Sequence, residues 1–402
     1  MERAISLLGL FVMLALAWLL SENRKRMNLR LIVSGVLLQF LIAVLLLKTR
    51  FGEQFFEAAR IIVARIVSFS DAGAEMVFGS TFKDHYVAFS VLPTIIFVSS
   101  GTAILFHLGI LQWIVKIMAK VMVWVMDTSG TESLAASANV YVGMTEAPLL
   151  VRPYLESMTR SEIMAMMTGG MATVAGGVMA AYAAWGVDAG HLMAASLMSA
   201  PAALVIAKMM VPETEESVTK GVVRIDVART DANVLDAACR GASEGLTLAL
   251  NVGAMLIAFI ALIHTANWLL SPTEHLFGAP LTLEKLLGWA CAPLAWIMGV
   301  PWRDAPEVGM LLGTKTVFNE LLAYEGLIAA RDSISPRSFV IATYALCGFA
   351  NFGSIAIQIG GIGGLVPKRR GDFARYGLRA MVGGTLAAYM TATIAGVFIS
   401  PD

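Results

Sequence analysis

Eight mostly apolar stretches recur along the chain, at Ile5–Leu20, Leu31–Leu47, Phe89–Leu111, Ile163–Trp185, His191–Val211, Leu246–Leu270, Phe339–Ile362 and Gly377–Ile399. Each holds 16 to 25 residues, the length at which a helix rising 1.5 Å per residue crosses about 30 Å of hydrocarbon. Lipid offers no partner to a bare N–H or C=O, so such segments fold as helices that satisfy their own backbone. The composition agrees, at 57% hydrophobic and 14% charged residues, against roughly 45–50% and 25% in soluble domains. The expected fold class is therefore an all-α integral membrane protein of about eight spans. Twenty-nine basic residues balance twenty-nine acidic ones, which leaves no net field to attract nucleic acid. Cys239, Cys291 and Cys347 form no CxxC pair and are odd in number, so they read as packing residues and not as a disulfide or thiolate metal site.

The first span is followed by Ser21-Glu22-Asn23-Arg24-Lys25-Arg26 and no small-residue cleavage site, so it is kept as a span and not as a signal peptide. Arg24, Lys25, Arg26 and Arg30 outnumber Lys48 and Arg50 beyond the second span. That bias places the first loop in the cytoplasm and, with an even number of crossings, both termini outside. Phe51–Lys83 and Gln112–Met126 mix apolar and charged residues and read as interfacial helices, the second either extending the third span or lying beside it. Pro212–Arg240 is the one long polar segment. It divides the chain into N-terminal spans and interfacial helices (1–128), a first hairpin and broken span (129–211), a linker and central span (212–304), and a second hairpin and broken span (305–402).

Two segments are too interrupted to cross smoothly. Gly130–Ser157 (GTESLAASANVYVGMTEAPLLVRPYLES) carries Asn139, Gly143, Thr145, Glu146 and Pro148 at its middle and reads as a re-entrant hairpin, with Thr145 as N-cap of the returning half. After it comes a span interrupted at Gly169–Gly177. The second half repeats the order, with Val308–Ala329 carrying Gly313, Thr314, Asn319 and Glu320, followed by a span interrupted at Cys347–Ser354. Arg160 to Thr173 is 13 residues and Arg337 to Asn351 is 14. Paired broken elements in two halves are the pattern of an inverted-repeat secondary transporter, with substrate and ions held near the midplane.

Carboxylates in the membrane are retained for function more often than for packing, which singles out Glu146 and Glu320. The structural alternative pairs each with Arg152 or Lys315 nearby. Asn139 and Asn351 are candidate ligands or interhelical hydrogen-bond glue, and Thr173 and Ser354 are ligands or hydroxyls bonded to their own helix. Enzyme chemistry finds no support: His85, His107, His191, His264 and His275 stand singly, and HExxH, GxSxG, Walker A and a strand-flanked GxGxxG are absent. The glycines at Gly360–Gly364 close a span and do not read as a phosphate cradle. A pore-forming channel for small polar solutes remains a rival class to alternating access.

GMTEAPLLVRPY at Gly143–Tyr154 and YALCGFANF at Tyr344–Phe352, with NELLAY at Asn319–Tyr324 and LNVGAM at Leu250–Met255, resemble the concentrative nucleoside transporter family over nearly the whole chain. The resemblance implies a homotrimer in the bacterial inner membrane. Each protomer would have eight spans, two re-entrant hairpins and interfacial helices, divided into a scaffold and a mobile part. It implies that Met144, Thr145 and Glu146 face the nucleobase and that Glu320, Asn351 and Ser354 take the sugar hydroxyls, with apolar contact from Val178 and Phe349. Met144 departs from the family, which commonly has Gln there, so an amide donor and acceptor is missing. The resemblance further implies a sodium site from Asn139, Val142, Thr173 and Val174, an all-oxygen set suited to a hard cation. The expected activity is sodium-coupled nucleoside symport with no other cofactor; proton coupling is the alternative within the family.

Overall fold

The computed structural model describes residues 1–223, 231–273 and 281–400, nearly all of the secondary structure being helical. Residues 224–230 of the polar segment and His275 lie outside the described residues. In chain order the helices are α1 (Glu2–Leu19), α2 (Leu29–Lys48), α3 (Arg50–Phe78), α4 (Leu92–His107), α5 (Ile110–Met126), α6 (Gly130–Ala138), α7 (Ala147–Leu150), α8 (Arg160–Ala172) and α9 (Gly176–Ala184). They continue with α10 (Ala189–Met210), α11 (Val234–Leu270), α12 (Leu283–Ile297), α13 (Ala305–Val317), α14 (Glu320–Ala329), α15 (Pro336–Leu346), α16 (Phe352–Leu365) and α17 (Arg370–Phe398). Among the described residues, seven helical segments are long and apolar enough to cross a membrane. The remaining expected span, Phe339–Ile362, is present as the two shorter helices α15 and α16.

Several boundaries differ from the sequence reading, each for a local reason. The third span ends at His107 and not at Leu111, because Gly109 at φ 82° separates α4 from α5, which holds Gln112–Met126 as a helix of its own. The polar linker is shorter than Pro212–Arg240: Asn233 caps α11 by accepting from Asp236 N, and Val234–Arg240 is already helical. The resulting 37-residue helix is about 55 Å long, well beyond the hydrocarbon thickness. Its polar first turns are held by Asp231, which receives Arg240 Nε at 2.7 Å. That guanidinium keeps the Asp231 carboxyl below the usual carboxylate range. The last span likewise begins early, at Arg370.

Burial sorts the spans into two kinds. In α10 and in the segment that includes α17, 89% and 78% of the most apolar window is buried, against 6% for the segment that includes α11 and 28% for α1 and α2. The interior is thus made by α8, α10 and α17, joined through small residues that bring backbones close. A Cβ on Gly384 of α17 would stand 2.7 Å from that of Met171 on α8. Outside this core, α11 lies against α4 by the same device, since a Cβ on Gly245 would stand 2.8 Å from Ile96 Cα.

The two broken segments enter this core from different ends. At the base of the first, Ser129 with Glu132 and Thr159 with Glu162 form two capping boxes. They are laced together by Thr131 Oγ1 donating to Glu162 at 2.8 Å and by Lys208, which pairs with Glu132 at 2.6 Å and Glu213 at 3.1 Å. This end lies beside the C-terminal end of α1, where Glu22 N donates to Met210 O at 2.9 Å. At the base of the second, Arg337 is buried and donates to the carbonyls of Gly299 at 3.0 Å and Gly396 at 2.8 Å, and to Ser6 Oγ at 3.1 Å. That is the N-terminal end of α1. Arg3 donates to Ile399 O at 3.2 Å, so the first and last spans begin and end on one side.

Deep inside, the breaks of the two interrupted spans cross. Phe349 N donates to Thr173 O at 3.3 Å, and Gly348, at φ +144°, places its backbone so that a Cβ would lie 2.8 Å from Met171 O. A side chain there meets both a backbone conformation that L residues avoid, at about 1–3 kcal/mol, and another main chain. Gly348→Ala is expected to lower the thermal midpoint of the detergent-solubilised protein by several degrees and to reduce its yield as a monodisperse species. An unchanged melting curve would show that the crossing tolerates a methyl group and does not depend on glycine.

Candidate functional site

The polar residues singled out from the sequence gather around this crossing. Glu320 is the first residue of α14, where the helix N-terminus favours a carboxylate, and it is only 6% exposed. Asn319 caps the helix by accepting from Leu322 N at 3.0 Å. Asn351 Nδ2 donates to Glu320 Oε2 at 3.0 Å, while its Oδ1 accepts from Ser354 N at 2.9 Å as the cap of α16. One asparagine thereby finishes a helix and fixes the carboxylate. The other carboxylate oxygen is taken by Tyr182, whose hydroxyl donates to Oε1 at 3.1 Å.

Tyr182 was not singled out from the sequence. It sits on α9, is fully buried, and packs its ring 4.4 Å from that of Tyr324. The available signal was its place nine residues after Thr173 on the interrupted span, facing the second half. The alternative pairing of Glu320 with Lys315 is not observed. Lys315 is buried and donates to Ala345 O at 2.9 Å, at the C-terminal turn of α15.

At the first hairpin the expected cap differs. Glu146, not Thr145, holds the N-cap position of α7, with no side-chain cap, and Pro148 lies in the first turn. The Glu146 carboxylate instead turns back to accept from Gly143 N at 3.1 Å, and no ion pair joins it to Arg152. Thr145 lies against α16, its Cγ2 standing 2.7 Å from where a Gly361 Cβ would be. Met144 is 8% exposed and its Cβ is 2.7 Å from the corresponding point on Gly170 of α8. Val178 is buried on the first turn of α9, and Phe349 is partly exposed beside the crossing.

The cation candidates lie on the near side of the same crossing. Asn139 ends α6 at 1% exposure. Its Nδ2 donates to Ala135 O at 2.9 Å, and its Oδ1 has no partner. The carbonyls of Val142 and Val174 accept no hydrogen bond from the described residues. Thr173 donates its hydroxyl to Gly169 O at 2.9 Å, which leaves the oxygen lone pairs free. The segments are in contact, since Gly176 N donates to Tyr141 O at 3.1 Å and a Gly169 Cβ would lie 3.4 Å from Asn139 Nδ2. Buried oxygens without donors are costly, and an all-oxygen set of this kind fits a hard monovalent or divalent cation.

A cavity of about 310 Å³ opens beside these residues. Its walls are Ser99 and Phe106 of α4, Glu146 and Arg152 of the hairpin, Gly176 and Gly177 at the start of α9, and Arg240 and Glu244 of α11. Glu146 is therefore on an accessible wall, whereas Glu320, Asn351 and Ser354 form a buried cluster that does not line the cavity. The structure brings the predicted residues to one crossing, but not onto one open surface.

Comparison with known proteins gives a consistent picture. A family model described as the Na+ dependent nucleoside transporter C-terminus matches residues 191–396, its N-terminal counterpart matches residues 8–81, and a nucleoside recognition model matches residues 88–187. An uncharacterized transporter of Bacillus subtilis, YutK, is 42% identical over 98% of this chain and 98% of its own. Solute carrier family 28 member 3 of Homo sapiens is 41% identical over 99% of this chain and 60% of its own length, so the chain spans about three-fifths of that relative. The solved structure of CNTnw in an inward-facing substrate-bound state is 40% identical, with a TM-score of 0.92 over 99% of this chain and 98% of that one. A variant of CNTnw in an outward-facing state gives 0.94 at 40% identity, over 99% and 98% of the two chains.

Proposed function

Because the chain belongs to the concentrative, Na+-dependent nucleoside transporter family, whose members are transporters and not enzymes, we propose that it takes up nucleosides by symport with sodium. The observation that carries this reading is the crossing of the two broken spans. It sets a carboxylate gripped by two neutral donors, Tyr182 and Asn351, against a group of buried oxygens that lack hydrogen-bond donors.

In this reading the sugar occupies the Glu320 end. A carboxylate has about four acceptor sites and Tyr182 and Asn351 use two, so the rest remain for sugar hydroxyls, with Ser354 one turn along. The base lies toward Met144, Thr145 and Glu146, with Val178 and Phe349 as apolar walls. Sodium travels as co-substrate on Asn139, Val142, Thr173 and Val174. Filling that set ties the turn after α6 to the break between α8 and α9, which orders the hairpin tip that meets the base. Ion and nucleoside thereby favour the same arrangement, and the coupling is reciprocal by thermodynamic necessity.

In this reading the chain is an inverted repeat of eight spans that works by alternating access, a reading supported by the bases of the two broken segments lying at opposite ends of α1. The parts at 129–211 and 305–402 form the mobile body, and 1–128 with 212–304 the scaffold. The large apolar surface of α11 suits lipid or the other protomers of a homotrimer in the inner membrane, with both termini outside.

The test is uptake of labelled uridine, adenosine, thymidine and free bases into proteoliposomes, with sodium, with choline and across a pH gradient. Saturable nucleoside uptake driven by sodium is expected. Uptake driven by the pH gradient alone would move the coupling to protons, and non-saturable flux would indicate a pore. Glu320→Gln removes a charge-assisted acceptor, and hydrogen bonds of that kind contribute about 1.5–3 kcal/mol. Uptake efficiency should then fall roughly ten- to hundredfold, while the assembled protein elutes normally; wild-type uptake would remove Glu320 from the sugar site. Asn139→Ala takes one oxygen from a small cation's shell, so the sodium concentration for half-maximal uptake should rise about tenfold or more. An unchanged sodium dependence would exclude Asn139 as a ligand.

A further inference from the structure

Helix α16 carries a polar stripe that extends past the sugar cluster. Asn351, Ser354, Gln358 and Gly361 are spaced by three, four and three residues, which aligns them along one face. The stripe starts at Glu320, which Asn351 holds. It ends at the hairpin tip, where Gly361 receives Thr145. Gln358 stands between them, about 6 Å beyond Ser354 along the helix axis.

Gln358 has 0% exposure, donates Nε2 to Met167 O at 3.0 Å, and has an Oε1 atom without any partner. A buried amide oxygen left unpaired costs about 1–3 kcal/mol, so packing alone is a poor reason to keep it. Its neighbour across the gap is Met144. A Cβ on Gly170 would lie 2.7 Å from Met144 Cβ and 2.8 Å from Gln358 Nε2. Gly170 is thus the opening through which the hairpin tip and the Gln358 amide approach each other. Met144 brings only a thioether to that place, and Gln358 brings both an acceptor and a second N–H donor.

We propose that Gln358 is a specificity-determining residue whose amide, Oε1 in particular, hydrogen-bonds the N–H edge of the nucleobase. This inference rests on the nucleoside-transport reading above. The base is then read by one side chain from each half of the chain, Glu146 on the hairpin and Gln358 on α16. The discriminating hydrogen bonding that Met144 lacks is supplied from across the site. Bases that present an imino or amino N–H toward α16 are favoured over bases that present an acceptor there, because a mismatch leaves the buried oxygen unpaired.

The experiment measures inhibition of labelled uridine uptake in proteoliposomes by uridine, cytidine, adenosine, inosine and 3-methyluridine, in the wild type, in Gln358→Met, and in the exchange Met144→Gln with Gln358→Met. The wild type should discriminate against 3-methyluridine, whose imino N–H is blocked. In Gln358→Met that discrimination should shrink by roughly tenfold, the value of one lost hydrogen bond, and the order of inhibitors should change, with the sodium concentration for half-maximal uptake unaltered. The exchange variant should recover discrimination among bases, which a role for Gln358 in bonding Met167 O does not predict. A uniform loss across all nucleosides with the order unchanged would overturn the inference and leave the transport reading standing. Absence of nucleoside uptake by the wild type would overturn both. Should Gln358→Met not assemble, Gln358→Leu, which also removes Oε1, is scored on the same panel, and an unaltered order of inhibitors there overturns the inference equally.

Discussion

A helix interrupted within hydrocarbon frees backbone donors and acceptors that have no water to turn to, each worth several kcal/mol if left bare. This protein interrupts two spans at the same depth and lets them meet each other's needs. Phe349 N reaches Thr173 O across the crossing, Thr173 turns its own hydroxyl back to Gly169 O, and Asn351 closes the start of α16. The carbonyls freed at the end of α15 are taken by Tyr324, which donates to Thr343 O at 2.8 Å, and by the Lys315 ammonium at Ala345 O. Functional side chains cluster here because this is where irregular backbone is tolerated. The residues proposed to bind and the residues that repair the breaks are in part the same.

The charged clusters at the hairpin bases play a different part. Lys208 with Glu132, and Arg337 with its ring of carbonyls, are buried cations with partners already in place. Removing Glu132 from the first set would leave the buried Lys208 charge without its nearest partner, a loss of the kind that costs about 3–5 kcal/mol. The two clusters anchor the ends of the hairpins at opposite ends of α1. The tips carry carboxylates held by neutral donors, Glu320 by Tyr182 and Asn351 and Glu146 by Gly143 N, and not by buried ion pairs. The separation sets buried cations at the base and carboxylates at the tip.

Much of this was legible in the residues. Apolar runs located the spans, glycines with polar neighbours located both breaks, and the isolated carboxylates marked the two hairpins. Thr159 and Glu162 carry the capping-box spacing that starts α8 at Arg160, three residues before the expected span. What escaped was information carried by the third dimension. Tyr182 reads as one more aromatic on an apolar helix until its hydroxyl is seen on Glu320. Gln358 reads as a tolerated amide until Gly170 shows how near Met144 comes. Thr145 had the right chemistry for a cap, but its contact with Gly361 turned it toward α16. The early start of α11 was hidden because charge suggested a loop, whereas Arg240 was neutralised by Asp231 and Glu244.

The first turn of α9 meets α4 through Gly177, whose missing Cβ would sit 3.3 Å from Ser99 Oγ and 3.8 Å from Ile95 O. Helices usually lock by setting ridges of side chains into grooves, and sliding past one another then requires a jump of a full ridge. A glycine facing a small hydroxyl has no ridge to lift. At this seam the core segment rests on α4 as on a bearing and not on a ratchet, with no notch to fix one stopping place. If the proposed alternating access moves this segment along α4, its stopping places are set elsewhere, by what fills the cavity and by the charges of Arg240 and Glu244 on its wall.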